Sequence, residues 1–209
     1  MIKYIIFDFD GTIADTMPYT LKNLFKLLKE ENIILPEKNI LDDFKSHNFF
    51  ELIKKWKISP LRVPFILKKI KKIQDDLYYE IATIKIFPEM EKLFMDLKNK
   101  GYKLGILSSN NQKNVERFLE INKLDCFDIV YCKSNFLAKD KAISSMLKKY
   151  DIKVEDIVYV GDEIRDVVAC HKVGIKIIGV PWGLHTSEVL QKAGVDYLVG
   201  KPEEIFEMV

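Results

Sequence analysis

The chain has 209 residues, 48% hydrophobic and 31% charged, with a formal net charge of +2. That length suits one large domain or a core with a smaller inserted module, and the composition is that of a globular protein with a well-solvated surface. No apolar run approaches the roughly 20 residues a membrane-spanning helix needs, no secretory leader is expected, and the sparse, odd set Cys126, Cys132 and Cys170 argues against a disulfide framework and for a reducing cytoplasm.

The chain opens on Ile2-Lys3-Tyr4-Ile5-Ile6-Phe7, followed by Asp8-Phe9-Asp10-Gly11-Thr12. A run that apolar reads as a strand buried on both faces. Alternation along an extended chain aims Asp8 and Asp10 the same way. They then lie at the carboxyl edge, where open α/β sheets bind ligands. Two like charges held there must be neutralised by a metal, a proton or both. An Asx turn accounts for one of these acids but not for two.

From about Met17 to Ala82 the periodicity is helical. Leu21, Leu24, Phe25, Leu27 and Leu28 form one apolar stripe, and Phe49, Phe50, Leu52, Ile53 and Trp56 form another. About 65 residues is too long for a loop, so residues 17–82 are expected to form a small helical cap domain over Asp8 and Asp10. Residues 1–16 and 83–209 would then form the α/β core. Residues 20–75 hold 13 Lys+Arg against 7 Asp+Glu. Without interleaved aromatic residues, that excess reads as a solvated helical surface and not as a nucleic-acid site. His47, between two helical patterns, could reach the site or simply cap a helix. Trp56 reads as cap core.

Beyond the insert, short apolar runs recur at 103–107, 129–132, 157–160 and 176–180, with a sixth, edge strand at 196–199. Helical patterns cover about 88–100, 111–121, 140–150, 164–173 and 186–193, with Gly101 and Gly174 at expected helix ends. This alternation predicts an α/β fold, a doubly wound parallel sheet with helices on both faces.

Each later strand ends in polar residues. Ser108-Ser109-Asn110-Asn111 leads into a helix, where a hydroxyl and free N–H groups suit an anion, although Ser and Asn also serve as plain caps. Lys139 and Lys141 precede or open the next helix. Gly161-Asp162-Glu163-Ile164-Arg165-Asp166 places three acids just past another strand, where they also favour a helix dipole. His171 and His185 read as structural or exposed, and Trp182 as packing or a pocket rim.

The combination of Asp8-Phe9-Asp10-Gly11-Thr12, Ser108, Lys139, and Gly161-Asp162 with Asp166, in that order, resembles the haloacid dehalogenase superfamily of phosphohydrolases. Tyr159–Asp166 with Pro181-Trp182-Gly183 looks most like its phosphoglycolate phosphatase-like branch. The resemblance implies a Mg²⁺-dependent phosphomonoester hydrolase acting on a small metabolite such as phosphoglycolate, a sugar phosphate or a nucleotide. It implies Asp8 as the nucleophile forming an aspartyl-phosphate, and Asp10 as general acid and base. Mg²⁺ would be held by Asp8, the Asp10 carbonyl and Asp162. Ser108, Ser109 and Lys139 would hold the phosphoryl oxygens, with Glu163 and Asp166 behind them. Lys139 is favoured over Lys141 because it directly precedes the helix. Thr16 is expected to serve only as a helix start.

The resemblance leaves a phosphomutase as the alternative reading. A signalling receiver that merely accepts phosphate on Asp fits less well, because receivers are shorter and carry their acceptor on a middle strand. The implied protein is cytoplasmic, a monomer or homodimer, with neither nucleic acid nor membrane as a partner.

Overall fold

A computed structural model describes residues 2–31, 33, 40–133 and 138–209. Its strands are β1 (Tyr4–Phe7), β2 (Lys103–Ser108), β3 (Phe127–Cys132), β4 (Ile157–Gly161), β5 (Lys176–Gly179) and β6 (Tyr197–Leu198). The helices are α1 (Met17–Glu30), α2 (Ile40–Ser46), α3 (Phe49–Lys55), α4 (Val63–Glu80), α5 (Met90–Asn99), α6 (Gln112–Ile121), α7 (Lys139–Tyr150), α8 (Ile164–Val173), α9 (Ser187–Ala193) and α10 (Pro202–Glu207). Among the described residues no helix is long and apolar enough to cross a membrane.

The six strands form one parallel sheet in the order β3-β2-β1-β4-β5-β6. The expected sheet is therefore present, with β6 as its edge strand. The α10 helix lay outside the expected elements because it is short and opens on a proline. The first strand is central, and its side chains alternate between two cores. Ile5 and Phe7 pack with Phe94 of α5 and Phe118 of α6, whereas Ile6 packs with Ile143 of α7 and Val167 of α8. A strand covered on both faces has no polar side, which explains why this segment reads as an unbroken apolar run.

The chain order reverses at β1, since β2 lies on one side of it and β4 on the other. That reversal opens a crevice at the carboxyl ends of the central strands. Between β1 and α5 the described chain is helical apart from short connections. Leu28, Ile33, Ile58 and Ile66 form a separate small core there, each contributing roughly 1.5–3 kcal/mol of apolar burial. Most of the described basic residues of this segment face outward: Lys22, Lys26, Lys54, Lys68, Lys71 and Lys72 are exposed, as expected of a solvated surface, while Arg62 and Lys69 are half-buried.

Candidate active site

Asp8 emerges directly from the central strand, where its N–H still donates to the Val160 carbonyl at 2.8 Å. Its Oδ1 accepts from the Phe9 N–H at 2.8 Å, and its Oδ2 accepts from Lys139 Nζ at 2.6 Å. Lys139 is the first residue of α7, also pairs with Asp166, and lies 5.2 Å from the centre of the Tyr159 ring. Burial alone would lower the affinity of its amine for a proton. Asp166 and Asp8 outweigh that effect and raise the pKa. Lys141 is exposed because two residues along a helix turn a side chain about 200° away.

Asp10 reaches the site by a route that strand alternation does not describe. The strand ends at Phe7, and residues 9–14 form a tight turn in which the Ile13 N–H donates to the Phe9 carbonyl at 3.0 Å. The Asp10 carboxylate is positioned by Asn110, whose Nδ2 donates to its two oxygens at 3.0 and 3.1 Å. Asn110 is itself anchored, since its Oδ1 accepts from the Asn111 N–H and from Asn114 Nδ2. Desolvation, followed by the charge of Asp8, raises the pKa of Asp10 to about 6, against the pull of the Asn110 amide.

The second acid cluster closes the far side. Asp162 is fully buried; its Oδ1 accepts from Thr12 Oγ1 at 2.9 Å and its Oδ2 from the Leu184 N–H at 2.7 Å. A Cβ at Gly11, whose φ is +77°, or at Gly183 would run into this carboxylate. Glu163 grips Arg165 through two hydrogen bonds of 2.6 and 2.8 Å. That guanidinium also donates to Ser109 Oγ at 3.2 Å, and the Glu163 N–H donates to Asp166 Oδ2 at 3.2 Å. Burial pushes the Asp162 carboxyl well above its ordinary range, helped by the neighbouring acids. Burial raises Asp166 to about 7 despite Lys139.

Ser108 ends β2 and its Oγ accepts from the Asn110 N–H at 2.9 Å. Ser108 and Ser109 are buried and do not cap α6; Asn111 does, accepting from the Lys113 N–H at 3.1 Å. Thr16 stands at the start of α1 but its side chain accepts no capping hydrogen bond. Its backbone is helical (φ −84°, ψ −9°) where a capping side chain needs extended geometry, and the residue borders the cleft instead.

Carboxylate oxygens of Asp8, Asp162 and Asp166 lie within 4.8 Å of one another. Counting Asp10 and Glu163, five acids converge here against the two cations Lys139 and Arg165. Such an excess of buried negative charge calls for a cation, and an all-oxygen donor set suits a hard divalent one. The residues present therefore fit a metal.

Above them a cleft of about 380 Å³ separates the helical segment from the sheet edge; it is bordered by Asp10, Asn110, Lys139, Arg165, His47 and His185. His185 is buried rather than exposed, and its Nδ1 lies 3.4 Å from the Ile164 N–H. Trp182 packs: its Nε1 donates to the Thr12 carbonyl at 3.2 Å. Sequence reasoning left Asn110, Thr12, Arg165 and His185 without a role at the site. The first three stood inside quoted motifs, and His185 follows the Trp182-Gly183 turn that supports Asp162.

The family model for "Haloacid dehalogenase-like hydrolase" matches residues 5–180. The phosphoglycolate phosphatase of Synechococcus elongatus is 27% identical over 209 residues, covering 100% of this chain and 97% of that protein. The pyrophosphatase PpaX of Bacillus cereus is 24% identical, covering 100% and 96%. Among solved structures, a predicted phosphatase from Clostridium acetobutylicum superposes with a TM-score of 0.83 at 23% identity, covering 100% of this chain and 98% of its own. A haloacid dehalogenase-like hydrolase from Streptococcus pneumoniae gives 0.80 at 20% identity, covering 99% and 98%.

Proposed function

The chain belongs to the haloacid dehalogenase-like hydrolases, and on that premise we propose that it hydrolyses phosphomonoesters of a small metabolite by way of an aspartyl-phosphate on Asp8. The relatives named for phosphoglycolate and pyrophosphate support a phosphatase reading. The observation that carries it is the pairing of Asp8 with Lys139 beside a second carboxyl, Asp10, whose pKa is raised to about 6.

In the first step an Asp8 carboxylate oxygen attacks phosphorus, a P–O bond to Asp8 forms, and the ester P–O bond breaks. The pairing to Lys139 and the Phe9 N–H restrains the carboxylate for an in-line approach. Lys139 also offsets charge on the transferring group. The leaving oxygen takes the proton of Asp10, for which a raised pKa near the working pH is the required property. In the second step the Asp10 carboxylate takes a proton from water as that water attacks phosphorus, and Asp8 departs as its free carboxylate. Ser108 and Ser109 hold phosphoryl oxygens, and Arg165 keeps Glu163 and Ser109 in place.

The metal would be Mg²⁺, held by Asp8, the Asp10 carbonyl and Asp162, with Asp166 aligned behind Lys139. When bound it supplies charge neutralisation between the carboxylates and the anionic substrate. Residues 17–82 act as the cap and residues 1–16 with 83–209 as the catalytic core. The test is phosphate release from aryl and metabolite phosphates, with Mg²⁺ or EDTA, comparing wild type with Asp8→Asn. Metal-dependent release that the variant loses supports the reading; equal release from both overturns it.

A further inference from the structure

The wall of the cleft facing the catalytic carboxylates is aliphatic and aromatic: Leu21 and Leu24 of α1, Phe49 and Leu52 of α3, Ile70 and Ile73 of α4. Its polar members, among them Tyr19, Thr20, Asn48 and Gln74, carry no charge. Residues 20–75 contain 13 lysines and arginines, yet none of those among the described residues borders the cleft. The helical period explains this, because Lys68, Lys71 and Lys72 of α4 are exposed while Ile70 and Ile73 turn inward.

Among the described residues, the cations that do border the cleft come from the sheet side, and each already faces a carboxylate. Lys139 faces Asp8 and Asp166, Arg165 faces Glu163, and Lys172 lies 3.8 Å from Asp140. Of the two histidines, His47 has its Nδ1 3.1 Å from the Asp43 carbonyl and its Nε2 3.4 Å from Lys55 Nζ. His185 is buried, with its Nδ1 3.4 Å from the Ile164 N–H. A second anionic group on the substrate, such as a carboxylate or another phosphate, would be desolvated against leucine and isoleucine, and every cation that borders the cleft among the described residues already faces a carboxylate.

We propose that the substrate is a phosphomonoester of an uncharged, largely apolar alcohol, a short alkyl chain or a single ring, seated against the α1–α4 wall with its phosphate at Asp8. This rests on the phosphatase reading and narrows it away from the doubly anionic substrates after which the relatives are named. A volume of about 380 Å³ lies at the lower end of small-molecule sites, so the alcohol is small.

The test is a series of ethyl, butyl and hexyl phosphates beside phosphoglycolate and inorganic pyrophosphate, assayed with Mg²⁺ on wild type, Leu21→Lys and Asp8→Asn. Linear alkyl esters keep leaving-group chemistry nearly constant, so a trend reports the wall. Expected is a rise in kcat/KM of about fourfold per methylene until the cleft fills. Hexyl phosphate should exceed phosphoglycolate by about 10²-fold, the product of several such steps. Leu21→Lys should lower the hexyl value and raise the phosphoglycolate value, each about tenfold. A flat or falling series, or a preference for phosphoglycolate, with turnover still lost in Asp8→Asn, overturns this inference and leaves the phosphatase reading standing. Turnover unaffected by Asp8→Asn, or absent with every ester, overturns that reading and this inference with it. The wild-type series decides the matter even if Leu21→Lys fails to fold.

Discussion

Lys139 Nζ stands 2.6 Å from Asp8 Oδ2, joining residues 131 positions apart whose side chains are 4% and 1% exposed. A buried ion pair gains little net stability, because desolvation opposes the attraction. Its value here is positional: the carboxylate at the end of the central strand keeps one orientation.

Replacing Asp8 with Asn removes the nucleophile and leaves a side-chain oxygen to accept the Phe9 N–H. Asp166 remains as a partner for Lys139. Turnover should fall by at least about 10³-fold, with thermal unfolding little changed. Phosphate release and a melting curve on the same preparation check both halves.

Asn110→Ala removes the amide that orients both oxygens of Asp10. The expected result is a fall in kcat of about 10- to 100-fold with KM nearly constant, since proton transfer suffers and binding does not. Steady-state kinetics with an alkyl phosphate separates the two parameters.

Mg²⁺ should stabilise the fold before any substrate is present. Buried carboxylates of Asp8, Asp162 and Asp166 repel one another, and a cation binding only the folded state adds about 2.7 kcal/mol at 100 times its Kd. Melting temperature should rise on Mg²⁺ titration and return with EDTA, and Asp162→Asn should blunt the rise.

Gly183→Ala should weaken that same response. An added Cβ meets the Asp162 carboxylate and the Gly11 carbonyl, so the acid must shift. A Mg²⁺ titration followed by melting temperature should show weaker binding, with activity restored in part by excess metal.

Asp43 gives a pH-dependent case away from the chemistry. Its carboxylate accepts from Lys55 Nζ at 2.7 Å and from Trp56 Nε1 at 3.1 Å, tying α2 to the end of α3. The Lys55 hydrogen bond holds its pKa below the ordinary value, against desolvation. A carboxyl depressed in the folded state stabilises where it is ionised. Its contribution is therefore complete above the unfolded pKa of about 3.9 and is lost as the pH falls through the folded value. Asp43→Ala should cost about 1–2 kcal/mol in urea unfolding at pH 7, and the gap to wild type should shrink on acidification.

The parallel sheet was legible because period-2 strands and period-3.6 helices leave different spacings of apolar residues, and β1, covered on both faces, leaves an unbroken run. Asp8, Ser108, Lys139 and Asp162 stood out in the sequence because each ends or directly follows a strand or opens a helix, and Asp166 because it lies in the first turn of α8. Tertiary structure alone decided what those residues touch. Asp10 follows a turn that alternation does not describe, and Asn110, 100 residues away, orients it. Lys139 and not Lys141 meets Asp8 because helical phase, set by packing of α7 on the sheet, turns one inward and the other to solvent. The uncharged wall of the cleft was likewise hidden inside a basic segment. Composition counts every lysine alike, whereas burial cost keeps the described lysines of this segment off the cleft and leaves leucine and isoleucine to face the site.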